Sequence, residues 1–171
     1  MGRAEDQIQG APGAVPAQRI EESSAPEYRS YTRHLGSLAA AAGRSEAGAV
    51  AAVLSDADRV MAESAVVTHL DRRAAHLLDA EGFPAWARAM EDVLSGRDFP
   101  ARRLREWNLL RSITVDTPWS SQELTGASDW CQRTAVALLT SRAALGLLAS
   151  AARTRRVRNA AAQRLRKLPE S

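Results

Sequence analysis

The segment from Ser55 to Gly82, SDADRVMAESAVVTHLDRRAAHLLDAEG, decides the fold. Its larger apolar side chains recur at about the 3.6-residue period of an α-helix and do not alternate as in a strand. Ser55 is a favourable N-cap, and the carboxylates of Asp56 and Asp58 favour the positive end of the helix dipole. We therefore predict a helix over about residues 56–79. Its predicted buried stripe comprises Val60, Val67, Leu70, Ala74, Leu77 and Leu78.

The sequence on both sides of this segment also favours helices, and no stretch has the pattern of a strand. Residues 28–42 and 46–54 have helical patterns, and Gly82 and Pro84 separate the central helix from the next one. The sequence thus predicts an all-α fold with about six to eight helices. The predicted starts of the later helices are Asp98, Ser120 with Glu123 as a capping box, Ser128, Thr140 or Ser141, and Thr154.

The first 25 residues differ in composition from the rest of the chain. Their only larger apolar side chains are Ile8, Val15 and Ile20, among Gly, Pro, Ala, Ser, Gln and Glu. Such a segment buries too little apolar surface to offset the entropy of ordering. We therefore predict a disordered tail over residues 1–25 and a single α-helical domain over residues 26–171.

The C-terminal third contains a short internal repeat. At an offset of 25 residues Arg133 aligns with Arg158, and alanines align after it. The segment 157–162, VRNAAA, resembles the Val-Arg-x-x-Ala-Ala helix of HEAT and leucine-rich-repeat-variant proteins, and 132–137, QRTAVA, is similar to it. The resemblance covers about residues 120–168 and implies that the helical bundle continues into a short stack of paired helices.

The two repeated arginines have a structural interpretation. Small alanines allow paired helices to approach closely, so a long arginine side chain can reach a neighbouring repeat. There it can bind an acidic group or the carbonyl groups at a helix C-terminus. We expect this role for Arg133 and Arg158 rather than binding of a ligand.

Positive charge is concentrated at the C-terminal end of the chain. Residues 151–171 carry a net charge of +6, whereas residues 1–150 carry −3. On a helix over residues 155–168, Arg155, Arg156, Arg166 and Lys167 are predicted to lie opposite the apolar stripe, where they can bind phosphate groups. The alternative is a solvated helix, and 22 of the 23 basic residues are arginine, which codon bias can produce.

Four tryptophans lie within residues 86–130, although the chain has only two tyrosines and two phenylalanines. Trp86 and Trp107 have apolar neighbours at helical spacing and are predicted to be core residues. Trp119 follows Pro118 and precedes the Ser120 cap. It is either a hydrophobic staple of the following helix or an exposed anchor for a partner.

No catalytic, metal-binding or cofactor-binding pattern is apparent in the sequence. Cys131 is the only cysteine, so an intrachain disulfide is excluded, and we predict a small buried apolar role for it. His69 and His76 lie seven residues apart, unlike a metal pair at i and i+4, and are predicted to be solvated. We expect a non-enzymatic chain with no cofactor and no metal.

Two functional hypotheses follow from these patterns. The first is an α-helical module for protein–protein interaction, with a surface formed by Trp119 and the arginine-rich last helix. The second is a nucleic-acid-associated protein that binds phosphate through that helix. The N-terminal segment lacks the apolar centre of a secretory signal, and no apolar run approaches membrane-spanning length. The sequence therefore predicts a cytoplasmic protein with no membrane partner.

Overall fold

Helices account for all the regular secondary structure in a computed structural model that describes residues 26–41 and 43–169. The all-α prediction is confirmed, with nine α-helices in these ranges, one more than the upper end of the predicted number. The predicted disordered tail, residues 1–25, lies outside the described residues. The helices are α1 (Pro26–Ala40), α2 (Glu46–Leu54), α3 (Arg59–Leu77), α4 (Phe83–Val93), α5 (Asp98–Thr114), α6 (Ser121–Gly126), α7 (Asp129–Leu138), α8 (Arg142–Ala151) and α9 (Arg155–Lys167).

Short polar side chains fix the start of five helices. In each case the side-chain oxygen of the N-cap residue accepts a hydrogen bond from the backbone N–H three residues later, at 3.1–3.3 Å. This bond satisfies one of the donors that the first helical turn leaves without a partner. The predicted starts of α6, α7, α8 and α9 are confirmed. The five N-caps are Asp58, Ser120, Ser128, Ser141 and Thr154.

Two predicted N-caps are wrong. The hydroxyl of Ser55 donates to the carbonyl of Ala52 at 2.7 Å, so Ser55 belongs to the end of α2. The carboxylate of Asp56 then accepts the backbone N–H of Asp58, which places Asp58 at the N-cap of α3. Asp98 is the first residue of α5 rather than its cap.

The central helix α3 packs against α1, α2 and α5, and α4 covers α2 and α5. The C-terminal helices form a stack in which α6 contacts α8, α7 contacts α9, and α8 lies against α9. α5 also contacts α7, and the apolar core is continuous from α1 to α9. α5 therefore connects the N-terminal bundle to the C-terminal stack.

The buried face of α3 is rotated from the predicted stripe. Its fully buried positions are centred on Ala62, Val66 and Leu70, whereas Val60 is 67% exposed. At about 100° per residue, Val60 lies roughly 120° from the centre of that face. The predicted stripe was based mainly on the larger apolar side chains. The observed face is centred nearer the alanines of α3, which let neighbouring helices approach closely.

Arginine side chains bind carbonyl groups at the C-terminal ends of helices other than their own. The last carbonyl groups of a helix have no partner within it, so a guanidinium that reaches them satisfies an otherwise unpaired acceptor. Six helix ends among the described residues are bound in this way. The pairs are Arg97 with Leu54 of α2, Arg111 with Leu78 after α3, Arg153 with Ala127 after α6, Arg164 with Leu139 after α7, Arg158 with Ala152 after α8, and Arg142 with Leu168 and Pro169 after α9.

The structure changes the register of the internal repeat by one residue. The N-caps Ser128 and Thr154 place α7 and α9 at an offset of 26 residues, not 25. The counterpart of Arg158 is therefore Gln132. Gln132 is fully buried and donates to the carbonyls of Leu124 and Thr125 at the end of α6.

The two repeated arginines differ in their contacts. Arg158 binds the carbonyl of Ala152 at 2.6 Å, which is the predicted contact with a helix C-terminus. The prediction for Arg133 is wrong, because its Nε pairs with the carboxylate of Asp129 on the same helix at 3.1 Å. The side chain of Arg133 is more than half exposed, so it does not bridge two repeats.

A buried carboxylate joins three of the N-terminal helices. Glu46, at the start of α2, is 3% exposed and accepts three hydrogen bonds. Its donors are His69 Nε2 at 2.9 Å and Arg73 Nε at 3.3 Å from α3, and Trp86 Nε1 at 2.9 Å from α4. The prediction that His69 is solvated is therefore wrong, since its side chain is only 12% exposed and binds the buried carboxylate.

We predict that Glu46→Ala lowers the free energy of unfolding by about 3–5 kcal/mol, since removing one member of a buried charged network leaves its partners unpaired. Urea denaturation followed by circular dichroism measures this change. The matched control is Glu81→Ala, because Glu81 is exposed and its loss should change stability by less than about 0.5 kcal/mol. Equal effects of the two substitutions would contradict the role assigned to Glu46.

Candidate functional site

A cleft of about 870 Å³ opens between α5, the segment 115–120, α6 and the turn between α6 and α7. Arg153, from the turn between α8 and α9, also lines it. The cleft therefore lies where the bundle meets the C-terminal stack. We call it the α5–α6 cleft.

One face of α5 forms a wall of the cleft. Arg102, Arg105, Leu109 and Ser112 line it at spacings of three and four residues, which place their side chains on one side of the helix. The opposite face carries Leu104, Trp107 and Leu110, which are buried. The prediction that Trp107 is a core residue is thus confirmed. Arg102 and Arg105 lie on the exposed side of the same helix.

A cluster behind this wall holds α5 against α3 and α7. The carboxylate of Asp71 on α3 accepts hydrogen bonds from Trp107 Nε1 at 2.8 Å and from Arg103. The guanidinium of Arg103 stacks on the ring of Trp130, 3.5 Å from its centroid, and the Trp107 and Trp130 rings meet edge to face. These contacts add to apolar burial and fix the position of α5.

Glu106 belongs to the same network although it borders the cleft. Its Oε1 accepts the backbone N–H of Ser128 at 3.0 Å, and its Oε2 lies 3.8 Å from Arg103 Nε. The side chain is 9% exposed. Its negative charge is therefore compensated within the fold and does not neutralise the arginines that face the cleft.

Three arginines of the cleft have no carboxylate partner in the described part of the chain. Arg102 and Arg105 are exposed and make no hydrogen bond or ion pair there. The side chain of Arg153 donates to the carbonyl of Ala127, just after α6, at 3.5 Å. Arg102 and Arg105 lie three residues apart on α5, so their like charges repel each other, and no carboxylate of the described residues pairs with either of them.

Trp119 borders the cleft from the segment between α5 and α6. It is partly buried and packs against the core, while part of its surface lines the cleft. The segment is fixed where α5 ends, because Asp116 has a φ of 56° and the N–H of Thr117 binds the carbonyl of Ser112 at 2.9 Å. The position agrees with both sequence interpretations of Trp119, the staple and the anchor.

The four predicted cations of the last helix are exposed but form two pairs rather than one cluster. Arg155 and Arg156 lie in the first turn of α9, and Arg166 and Lys167 lie in the last turn. The pairs are separated by about 16 Å along the helix axis at 1.5 Å per residue. None of the four lines the α5–α6 cleft, so the structure does not place them with Trp119 in one site.

Sequence reasoning missed Arg102 and Arg105 as candidate site residues, and it placed Arg153 only in the basic C-terminal segment. The net charge of the C-terminal segment drew attention to α9, whereas α5 contains both acidic and basic residues. The sequence pattern that could have identified Arg102 and Arg105 is their position on the side of α5 opposite its apolar face. Distinguishing these from Arg103 and Arg111, which bind within the fold, requires the tertiary contacts.

Neither the cysteine nor any of the three histidines lines this cleft. Cys131 is fully buried, as predicted, and burial raises the pKa of its thiol to about 12. His34 is also buried, with Ser30 Oγ at 3.3 Å and a carboxylate oxygen of Asp56 at 3.4 Å. His76 is exposed, as predicted.

Neither a metal-binding cluster nor a membrane-spanning helix is present among residues 26–41 and 43–169. No group of three or more His, Cys, Asp or Glu side chains there is arranged to hold a metal ion. None of the described helices is both long and apolar enough to cross a bilayer.

Comparison with known protein families, with curated proteins and with solved structures gives no match to this chain. The HEAT-like resemblance of residues 120–168 therefore stays a prediction.

We predict that Cys131 of the folded chain does not react with iodoacetamide at neutral pH, since its thiol is buried and protonated. It should react fully after unfolding in urea, as mass spectrometry of the labelled chain would show. Rapid labelling of the folded chain would contradict the burial of Cys131.

The same thiol makes stability depend on alkaline pH. Between the ordinary thiol pKa of 9.0 and the folded-state pKa of about 12, the unfolded chain loses a proton that the folded chain retains. The free energy of unfolding should therefore fall as pH rises through this window. Cys131→Ala is the control, because its unfolding should lack this component of the pH dependence.

Proposed function

We propose that this chain is a non-catalytic α-helical module that binds a partner protein through the α5–α6 cleft. The observation that carries the proposal is the combination of a partly exposed tryptophan with unpaired arginines around one large cleft. Tryptophan and arginine are the side chains most enriched in the energetic centres of protein interfaces. Trp119, Arg102 and Arg105 supply both types within one concave surface.

The contacts of the cysteine and of two histidines support a non-catalytic role, because these side chains are buried or bound to other residues of the fold. Burial keeps the thiol of Cys131 protonated, and His69 is bound to the buried carboxylate of Glu46. His34 is buried between Ser30 and Asp56. We also propose a cytoplasmic location, where a single thiol stays reduced.

The proposal predicts that Trp119→Ala reduces the capture of specific partner proteins by the immobilised chain at least about tenfold, because loss of a central tryptophan removes a large share of binding energy. Quantitative mass spectrometry of proteins bound from the native cell extract measures this. Tyr28→Ala is the matched control, since Tyr28 is an aromatic residue of α1 that is 62% exposed.

A second variant separates loss of binding from loss of packing. Gln122 is exposed on α6 and lines the cleft, so Gln122→Trp fills the cleft without removing a core side chain. It should reduce capture as Trp119→Ala does, while both variants keep a helical circular-dichroism spectrum. Unchanged capture by both folded variants would overturn the proposed function.

The second candidate function is binding of nucleic acid along α9. A specific observation favours it: Arg155 and Arg156 occupy the first turn of α9, where positive charge opposes the helix dipole. Neither side chain has a carboxylate partner in the described part of the chain, and both are exposed. An anionic partner would offset this unfavourable placement.

For this candidate, we predict binding to random double-stranded DNA that weakens steeply between about 50 and about 200 mM salt. Fluorescence anisotropy measures the affinity. Replacing Arg155, Arg156, Arg166 and Lys167 with alanine should abolish binding. The Arg72→Ala, Arg88→Ala double variant is a control for loss of exposed charge elsewhere, and equal weakening in both variants would contradict a specific role for α9.

A further inference from the structure

Two groups of arginines in the described part of the chain differ in their contacts. One group binds helix-end carbonyls or carboxylates within the fold, as Arg97, Arg103 and Arg158 do. The other group lines the α5–α6 cleft without a carboxylate partner in the described residues. It comprises Arg102 and Arg105, together with Arg153, whose side chain also donates to the carbonyl of Ala127 at 3.5 Å.

We propose that the α5–α6 cleft binds an acidic segment of the partner protein. Carboxylates of that segment pair with Arg102, Arg105 and Arg153, and an apolar side chain packs between Trp119 and Leu109, which line the same cleft. This inference rests on the proposed function and specifies the chemistry of its partner.

Charge complementarity supports an acidic polypeptide as the occupant. A guanidinium binds a carboxylate through two parallel hydrogen bonds, and such charge-assisted pairs are the stronger hydrogen bonds in proteins. Arg102 and Arg105 repel each other in the free chain, so binding of carboxylates also removes an unfavourable interaction. The apolar surface of Trp119 and Leu109 adds a position for one uncharged side chain.

The remaining lining favours a polypeptide over a nucleic acid. The exposed carboxylate of Glu123 and the carbonyl of Ala127 border the cleft beside the arginines. A phosphate backbone gains affinity from continuous positive charge and has no N–H donor of its own to place against these acceptors. A peptide can place its own N–H groups against them, and Asn108 and Gln122 offer further polar contacts.

The test uses a fluorescein-labelled synthetic peptide, Asp-Asp-Glu-Leu-Glu-Asp-Asp, and fluorescence anisotropy with the full chain. We expect saturable binding that falls at least about tenfold in Arg102→Ala, Arg105→Ala, because charge-assisted hydrogen bonds are lost. Arg153→Ala should weaken binding in the same direction. The same peptide with Asn and Gln in place of Asp and Glu should not bind.

The control variant is again Arg72→Ala, Arg88→Ala, which removes two exposed arginines from α3 and α4 outside the cleft. It should bind the peptide as the wild type does. The melting temperature of Arg102→Ala, Arg105→Ala should equal or exceed that of the wild type, since the substitution removes like-charge repulsion. A loss of binding with intact stability distinguishes a ligand contact from a structural role.

Three results would overturn the inference. They are no binding of the acidic peptide, equal weakening in the cleft and control variants, or tight binding of an oligonucleotide that depends on Arg102 and Arg105. If partner capture still depends on Trp119 while the acidic peptide does not bind, the proposed function stands and the acidic-segment inference fails.

Discussion

The pairing of buried acceptors with side chains from other helices is the constraint on which the rest of this structure depends. Short helices have many ends, and every end leaves carbonyl groups that must find donors. Among the described residues arginine supplies them at six helix ends, and Gln132 supplies two further donor contacts at the end of α6. A core rich in alanine makes this possible, because helices that approach closely bring their ends within reach of an arginine side chain.

The pairing of arginines with buried acceptors also indicates which arginines are available to bind a partner. Some arginines bind helix-end carbonyls or buried carboxylates. Arginines that line a cleft without a carboxylate partner are candidates for binding another molecule. Arg103 illustrates the distinction, since it stacks on Trp130 and binds Asp71, whereas Arg102 beside it makes neither contact. Codon bias can explain how many arginines the chain has, but it does not explain why Arg102, Arg105 and Arg153 line one concave surface that also exposes Trp119.

Local chemistry made most of the fold predictable, and tertiary contacts determined the rest. Ser128, Ser141 and Thr154 are N-caps because a short side-chain oxygen must bind a backbone N–H, and sequence alone reveals this. The orientation of α3 was not predictable from its large side chains, so the partly buried contact of His69 with Glu46 was missed. It depends on how closely α1 and α2 approach the alanines of α3. The cleft could not be predicted from the sequence, because it is formed by residues far apart in the chain, from α5, α6 and the turn before α9.

The division of arginines into structural and binding groups is the central claim, and NMR of the arginine Nε–Hε groups tests it most directly. The spectrum of the isotopically labelled full chain would be recorded during titration with the acidic peptide, with each resonance assigned by single substitution. We expect the resonances of Arg102, Arg105 and Arg153 to shift on binding, while those of Arg97, Arg111, Arg158 and Arg164 stay in place. Shifts confined to Arg155 and Arg156 of α9, or spread equally over all arginines, would contradict it.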